Sequence, residues 1–174
     1  MRMRILFASV VFALGTLSGP AFAEQDKIAE MQARFDHESN SVRRVKIFEK
    51  LGDEELARTR RVSTADDYRT VAQILETYRN NARLALDLLK QQHPNAEKQL
   101  SGYKQLQMHI YKGIREVDET LLVSPPDLRP PLELVRQDLL AMDNELLHSI
   151  FPHRPAKIPK KDAAPPADPS QEQQ

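Results

Sequence analysis

Apolar residues recur every three or four positions along most of this chain, with polar residues between them. The pattern is clearest between residues 64 and 92, where one series advances only by threes and fours: Val71, Leu75, Tyr78, Ala82, Ala85 and Leu89. Steps of this size keep apolar side chains on one face of an α-helix. They predict a long amphipathic helix whose apolar face must be buried against other helices.

Comparable stripes predict further helices over residues 25 to 35, 41 to 61, 94 to 122 and from about 127 to 150. The second of these has an alternative end. Glycine is common just after the end of a helix, and aspartate is common as a helix cap. The second helix could therefore end at Gly52, with Asp53 capping another helix. We prefer a single helix that continues through Gly52 to Arg61.

Prolines and short polar side chains mark the predicted helix ends. Ser63 and Asp66 form a capping-box pattern that places the start of the long helix near residue 64. Pro94 suits the first turn of the next helix, and Asp127 suits the cap of the last one. The proline clusters therefore separate helices rather than interrupt them, because a helix interior needs the N–H that proline lacks.

Strong helix formers dominate the chain, and no long alternating stretch typical of a β-strand competes with them. The expected fold is all-α: an elongated antiparallel bundle of four to five helices. Its core is expected to include apolar residues from the three last stripes, namely Val71, Leu75, Tyr78, Ile110, Ile114, Leu139, Met142 and Leu146.

The N-terminus has the order of a secretory signal peptide. Arg2 and Arg4 precede an uncharged apolar run from residue 5 to 17, and Ala21-Phe22-Ala23 follows. This order predicts cleavage after Ala23 and export to the periplasm or the extracellular space. The apolar run is too short for a membrane span, which takes roughly 20 residues. No membrane span is expected after cleavage.

The C-terminus differs in composition from the rest of the chain. Residues 152–174 contain six prolines, and Ile158 is their only large aliphatic side chain. Such a segment buries too little apolar surface to offset the entropy lost on ordering. It is predicted to be disordered, which leaves residues 24–151 as the helical domain.

Charge and cysteine content narrow the functional classes. The 25 basic and 25 acidic residues become 23 and 25 once Arg2 and Arg4 are removed with the signal, a formal charge of −2. A near-neutral protein lacks the positive field used in nucleic-acid binding, so no nucleic-acid partner is expected. The chain has no cysteine, so disulfides and thiolate metal sites are excluded.

Only weak metal-ligand candidates are present. Glu145 and His148 have the Glu-x-x-His spacing found in di-iron bundles, but no second such pair exists in the chain. The two residues are expected to flank the core seam. His109 is a further candidate for metal binding or proton transfer, although a hydrogen-bonded histidine at the core boundary is preferred. No cofactor is predicted.

The chain has no recognisable catalytic motif: no His-Glu-x-x-His, glycine-rich phosphate loop, Gly-x-Ser-x-Gly or cysteine nucleophile. The preferred function is that of a non-catalytic protein that acts by protein contact, as a scaffold, adaptor or accessory envelope factor. A ligand- or metal-binding bundle is the alternative, and an enzyme is third.

Gly102 and Gly113 lie on one side of their predicted helix. The absence of side chains there permits close approach of a neighbouring helix, within the chain or in a second copy.

Three short segments resemble a family of short exported helical proteins of bacteria. They are Gly102-Tyr103-Lys104-Gln105-Leu106 with His109-Ile110, then Asn144-Glu145-Leu146-Leu147, then Ile150-Phe151-Pro152. The resemblance covers the last two predicted helices and implies an independent helical domain that ends near Pro152. That family is uncharacterised, so the resemblance implies no catalytic or binding residues.

Overall fold

The computed structural model describes residues 20–152, with side chains from residue 26 onward. Five α-helices and no strand occur in this range, which confirms the all-α bundle predicted from the sequence. The helices are α1 (Pro20–His37), α2 (Ser41–Ser63), α3 (Tyr68–Gln92), α4 (Leu100–Val123) and α5 (Arg129–Ile150). Short 3₁₀ turns precede α4 and α5. The predicted apolar signal segment and nearly all of the predicted tail lie outside the described residues.

Helices α2 to α5 form a four-helix bundle, and α1 packs mainly on α2. α2 and α3 are antiparallel, since the side-chain oxygen of Gln92 at the end of α3 accepts from the amide of Ser41 at the start of α2. α4 and α5 are also antiparallel, since Asp118 late in α4 pairs with Arg136 early in α5. α3 and α4 each contact the other three helices of the bundle.

The core follows the apolar stripes of the sequence. All eight residues predicted to form it are buried, and α1 and α2 add Phe35, Phe48 and Leu51. α3 has 25 residues, which makes it about 37 Å long at a rise of 1.5 Å per residue. The core is therefore a long seam between rods, as the antiparallel arrangement requires.

α2 is one continuous helix from Ser41 to Ser63, so the predicted continuation through Gly52 is confirmed. Asn40 caps its start by accepting a hydrogen bond from the amide of Arg43 at 3.0 Å. A break at Gly52 would separate the two halves of the apolar face of α2, which packs along α3. The continuous helix keeps that face in register with α3.

The predicted start of α3 is wrong by four residues. Ser63 belongs to α2, and Asp66 lies in the connecting turn with a φ of 57°. Asp67 is the actual cap, and its side chain accepts from the amide of Thr70 at 3.1 Å. The capping box predicted at Ser63 and Asp66 does not form, because α2 extends through Ser63 and the connecting turn places Asp67 at the start of α3.

The predicted starts of the last two helices also need correction. Pro94 precedes rather than begins a helix: Asn95 caps a 3₁₀ turn over Ala96–Gln99, and α4 follows at Leu100. Asp127 lies inside a second 3₁₀ turn, Pro126–Leu128, and makes no capping bond to α5. In both cases the chain tightens into a 3₁₀ turn before the α-helix begins.

None of the helices that the structure describes is both long enough and apolar enough to span a membrane. Their apolar residues form stripes on one face rather than covering the helix.

Candidate functional site

Four rings from four different helices meet near the middle of the bundle. Phe48 of α2 lies 5.2 Å from the Tyr78 ring of α3 and 5.1 Å from the His109 ring of α4, between ring centroids. Phe35 of α1 lies 6.3 Å from Phe48. These distances are typical of favourable aromatic pairs. We call Phe35, Phe48, Tyr78 and His109 the aromatic cluster.

Two glycines make room for this cluster. A Cβ atom at Gly52 would lie 2.5 Å from the Cε1 atom of His109 and 2.8 Å from the Cε2 atom of Tyr78. A Cβ atom at Gly113 would lie 2.7 Å from the Cζ atom of Tyr78. Real contacts of this kind are longer, so any side chain here would displace a ring. The close approach predicted at Gly113 is confirmed and is made within the chain, where it accommodates the ring of Tyr78.

Gly102, the other glycine on that side of α4, is less constrained. A Cβ atom there would lie 3.3 Å from the Cδ1 atom of Leu89, the end of a flexible side chain. The two glycines therefore share a face of α4 but differ in their neighbours.

Tyr78 and His109 are joined by hydrogen bonds between the tyrosine hydroxyl and two atoms of the histidine, its backbone oxygen and its ring Nδ1. The Tyr78 hydroxyl donates to the backbone oxygen of His109 at 2.7 Å and lies 2.8 Å from its Nδ1. The tautomer of the ring sets whether Nδ1 accepts from this hydroxyl or donates to it. Burial lowers the pKa of His109 and raises that of Tyr78, which keeps both side chains neutral.

His109 does not have the surroundings of a metal ligand. It is buried rather than at the boundary of the core. Its Nε2 lies 3.3 Å from Asp53 Oδ1, and the ammonium group of Lys112 also bonds that oxygen. The ammonium group of Lys112 already pairs with the Asp53 carboxylate. His109 and Asp53 alone are also too few ligands for a stable zinc site. Among residues 26–152, no group of three or more His, Cys, Asp or Glu side chains is arranged to hold a metal ion.

Glu145 and His148 flank the core seam, as predicted, and do not act together. The Glu145 carboxylate bonds Lys90 and lies 3.2 Å from Arg83, so it connects α5 to α3. The hydrogen bond from Lys90 lowers the pKa of Glu145. His148 is exposed, and its Nδ1 lies 2.8 Å from the backbone oxygen of Asn144. The Glu-x-x-His spacing here reflects two separate surface contacts.

A buried carboxyl group that the sequence analysis missed lies between α1, α2 and α3. Glu55 is 3% exposed, and its Oε1 accepts a bond of 3.3 Å from Asn81 Nδ2. Gln32 of α1 and Asn81 exchange two hydrogen bonds, of 2.9 and 3.1 Å. Burial raises the pKa of Glu55 to about 8 despite Asn81 and the charge of Arg58. The carboxyl is therefore protonated at neutral pH.

Glu55 lines a cavity of about 260 Å³ between the same three helices. Its other lining residues are Ile28, Ala29, Gln32, Arg58, Ile74 and Thr77. The Oε2 atom of Glu55 has no hydrogen-bonding partner among the described residues. A sequence signal for this site exists, because Glu55 occupies a core position in the series Phe48, Gly52, Glu55 and Thr59 of α2.

α4 carries a second stripe, on its outer side. Lys104, Met108, Tyr111, Arg115 and Leu122 follow at steps of four, three, four and seven, and we call them the outer strip. Met108, Tyr111 and Leu122 are 69%, 56% and 81% exposed, respectively. Met108 and Tyr111 are neighbours on this face and Leu122 lies about 16 Å further along it, so the three residues offer a partner apolar contacts along one side of the helix.

No protein-family model matches this chain, and no curated protein or solved structure is detectably similar to it. A functional assignment therefore depends on the residues of this chain alone. The resemblance to exported helical proteins stays a prediction.

The two glycines of α4 give a matched pair of substitutions. Gly113→Ala is expected to lower the free energy of unfolding by about 1–3 kcal/mol, because the new methyl group overpacks against the Tyr78 ring. Gly102→Ala meets no atom closer than the flexible end of Leu89 and gains helix propensity, so it is expected to be neutral or to stabilise by up to about 1 kcal/mol. Urea unfolding followed by circular dichroism measures both. Equal effects would contradict the packing described around Tyr78.

Stability is expected to fall with rising pH because of Glu55. Its carboxyl has an ordinary pKa of 4.5 when unfolded and a pKa of about 8 when folded. Between these values the folded chain holds one proton more, so the free energy of unfolding decreases with pH, and the decrease is complete above pH 8. Glu55→Gln should remove this slope and be more stable than the wild type at pH 9, by on the order of 2–4 kcal/mol.

Chemical unfolding of both proteins from pH 5 to 9 measures this difference. Glu54→Gln is the matched control, since Glu54 is partly exposed and pairs with Lys27, and it should keep the wild-type slope. If Glu55→Gln and wild type respond identically to pH, the buried carboxyl does not titrate as described.

Proposed function

We propose that this protein is exported and acts without catalysis by binding another protein, as a scaffold, adaptor or accessory envelope factor. The observation that carries this proposal is the outer strip of α4. Its exposed apolar residues lie on a helix whose other face is fully engaged in the bundle. The strip is therefore presented on a rigid element, which favours specific binding.

The outer strip also suggests the chemistry of the partner. Its two charged members, Lys104 and Arg115, are both basic. Arg115 lies 3.7 Å from Glu119 in a pair exposed to solvent, and such pairs contribute little to stability. Lys104 makes no ion pair with another described residue. A partner surface with apolar residues and flanking acidic groups would complement this strip, and charge complementarity would fix its orientation.

The buried polar groups support a non-catalytic role. Tyr78, His109 and Asp53 form a chain of contacts that resembles a proton relay, but Tyr78 is fully buried and His109 nearly so. A substrate could reach neither ring without movement of the helices around it. Their contacts instead fix the crossing of α3 and α4.

The proposal is tested by photo-crosslinking in producing cells. A benzophenone side chain in place of Leu122 should capture one specific protein in the exported fraction, identified by mass spectrometry. The double substitution Met108→Ser and Tyr111→Ser should reduce this capture at least about tenfold, because burying each apolar side chain contributes about 1.5–3 kcal/mol. Both residues are exposed, so the double variant should unfold like the wild type.

A benzophenone in place of Gln73, an exposed polar residue of α3, is the control for non-specific capture. Equal yields from positions 73 and 122 would contradict the proposal. Capture of a second copy of this chain would assign the strip to self-association instead of a different, acidic partner.

A further inference from the structure

The cavity beside Glu55 has a lining suited to a small ligand. Its volume of about 260 Å³ lies just below the range of roughly 300–1,000 Å³ typical of sites for drug-sized molecules. One part of its wall is apolar, formed by Ile28, Ala29 and Ile74. A short hydrocarbon chain fits such a wall.

The polar part of the lining includes a buried carboxyl group with an oxygen that has no hydrogen-bonding partner among residues 26–152. A carboxyl group buried as deeply as that of Glu55, with one long bond from Asn81, is disfavoured as an anion and holds its proton. Its Oε2 atom has no partner within the described residues. The O–H of Glu55 is therefore a buried donor without an acceptor, which costs free energy unless an acceptor binds there.

Arg58 lies one turn after Glu55 on α2 and lines the same cavity. Its guanidinium makes no hydrogen bond or ion pair with another side chain in the part of the chain that the structure describes. A guanidinium binds carboxylates well, because its N–H groups match the two oxygens. With Glu55 neutral, Arg58 gives the lining a net positive charge.

From these observations we infer that the cavity binds a short-chain aliphatic carboxylate. One carboxylate oxygen accepts from the protonated Glu55, the carboxylate pairs with Arg58, and the hydrocarbon chain lies against Ile28, Ala29 and Ile74. The Oε2 atom is covered in this structure, so this contact requires a small movement of the lining side chains. This function is independent of the outer strip on α4.

The test is a titration of the ¹⁵N-labelled protein at pH 7 with hexanoate, followed by amide chemical shifts. Saturable shifts are expected within residues 28–32, 55–58 and 74–77. Hexylamine and 1-hexanol have the same chain without the carboxylate, so each should bind at least about tenfold more weakly. Equal binding of hexanol or tighter binding of hexylamine would overturn the inference, as would the absence of saturable shifts.

Three variants separate a bound carboxylate from a non-specific effect. Arg58→Met should weaken hexanoate binding at least about tenfold, whereas Lys50→Met, which removes one exposed positive charge from the same helix, should not. Wild type should lose affinity as the pH rises through 8, when Glu55 ionises and repels the ligand. Glu55→Gln keeps an N–H donor, so its affinity should not depend on pH in this range. An unchanged affinity in Arg58→Met would overturn the inference.

Discussion

Burial of one apolar stripe per helix is the interaction on which the rest of this structure depends. The chain has no cysteine, so no disulfide limits the unfolded state, and the described residues offer no cluster of metal ligands. Stability must come from apolar contact along the seam between α2, α3, α4 and α5. The stripe of α3 from Val71 to Leu89 contributes more buried apolar residues to this seam than any other helix does.

The aromatic cluster shows how polar chemistry is used inside this seam. Tyr78 and His109 satisfy each other's hydrogen bonds, and Gly52 and Gly113 give their rings space. The buried polar groups thus specify how the helices cross. Functional groups have to be sought elsewhere, and the structure offers two places with different chemistry: an exposed apolar strip on α4 and a cavity with unpaired donors under α1.

The sequence predicted the helices and their buried faces, because a period of three to four residues depends only on local geometry. It misplaced the starts of α3, α4 and α5, because the turns before these helices decide where each helix begins, and the local sequence does not determine those turns. The sequence showed that Gly102 and Gly113 lie on one side of α4. It did not show that the ring of Tyr78 lies against Gly113. That contact, like the one between Tyr78 and His109, depends on the register between helices far apart in sequence. Glu55 was missed although its place in the apolar series of α2 was visible.

The central claim is that apolar stripes, and not apolar content in general, hold the bundle together. Two leucines of α5 test it most directly: Leu139 is fully buried, and Leu134 is 60% exposed. In urea unfolding, Leu139→Ala is expected to lower the free energy of unfolding by about 2–4 kcal/mol, and Leu134→Ala by less than about 0.5 kcal/mol. If the two variants lose the same stability, or Leu134→Ala loses more, burial of the stripes is not what stabilises the bundle.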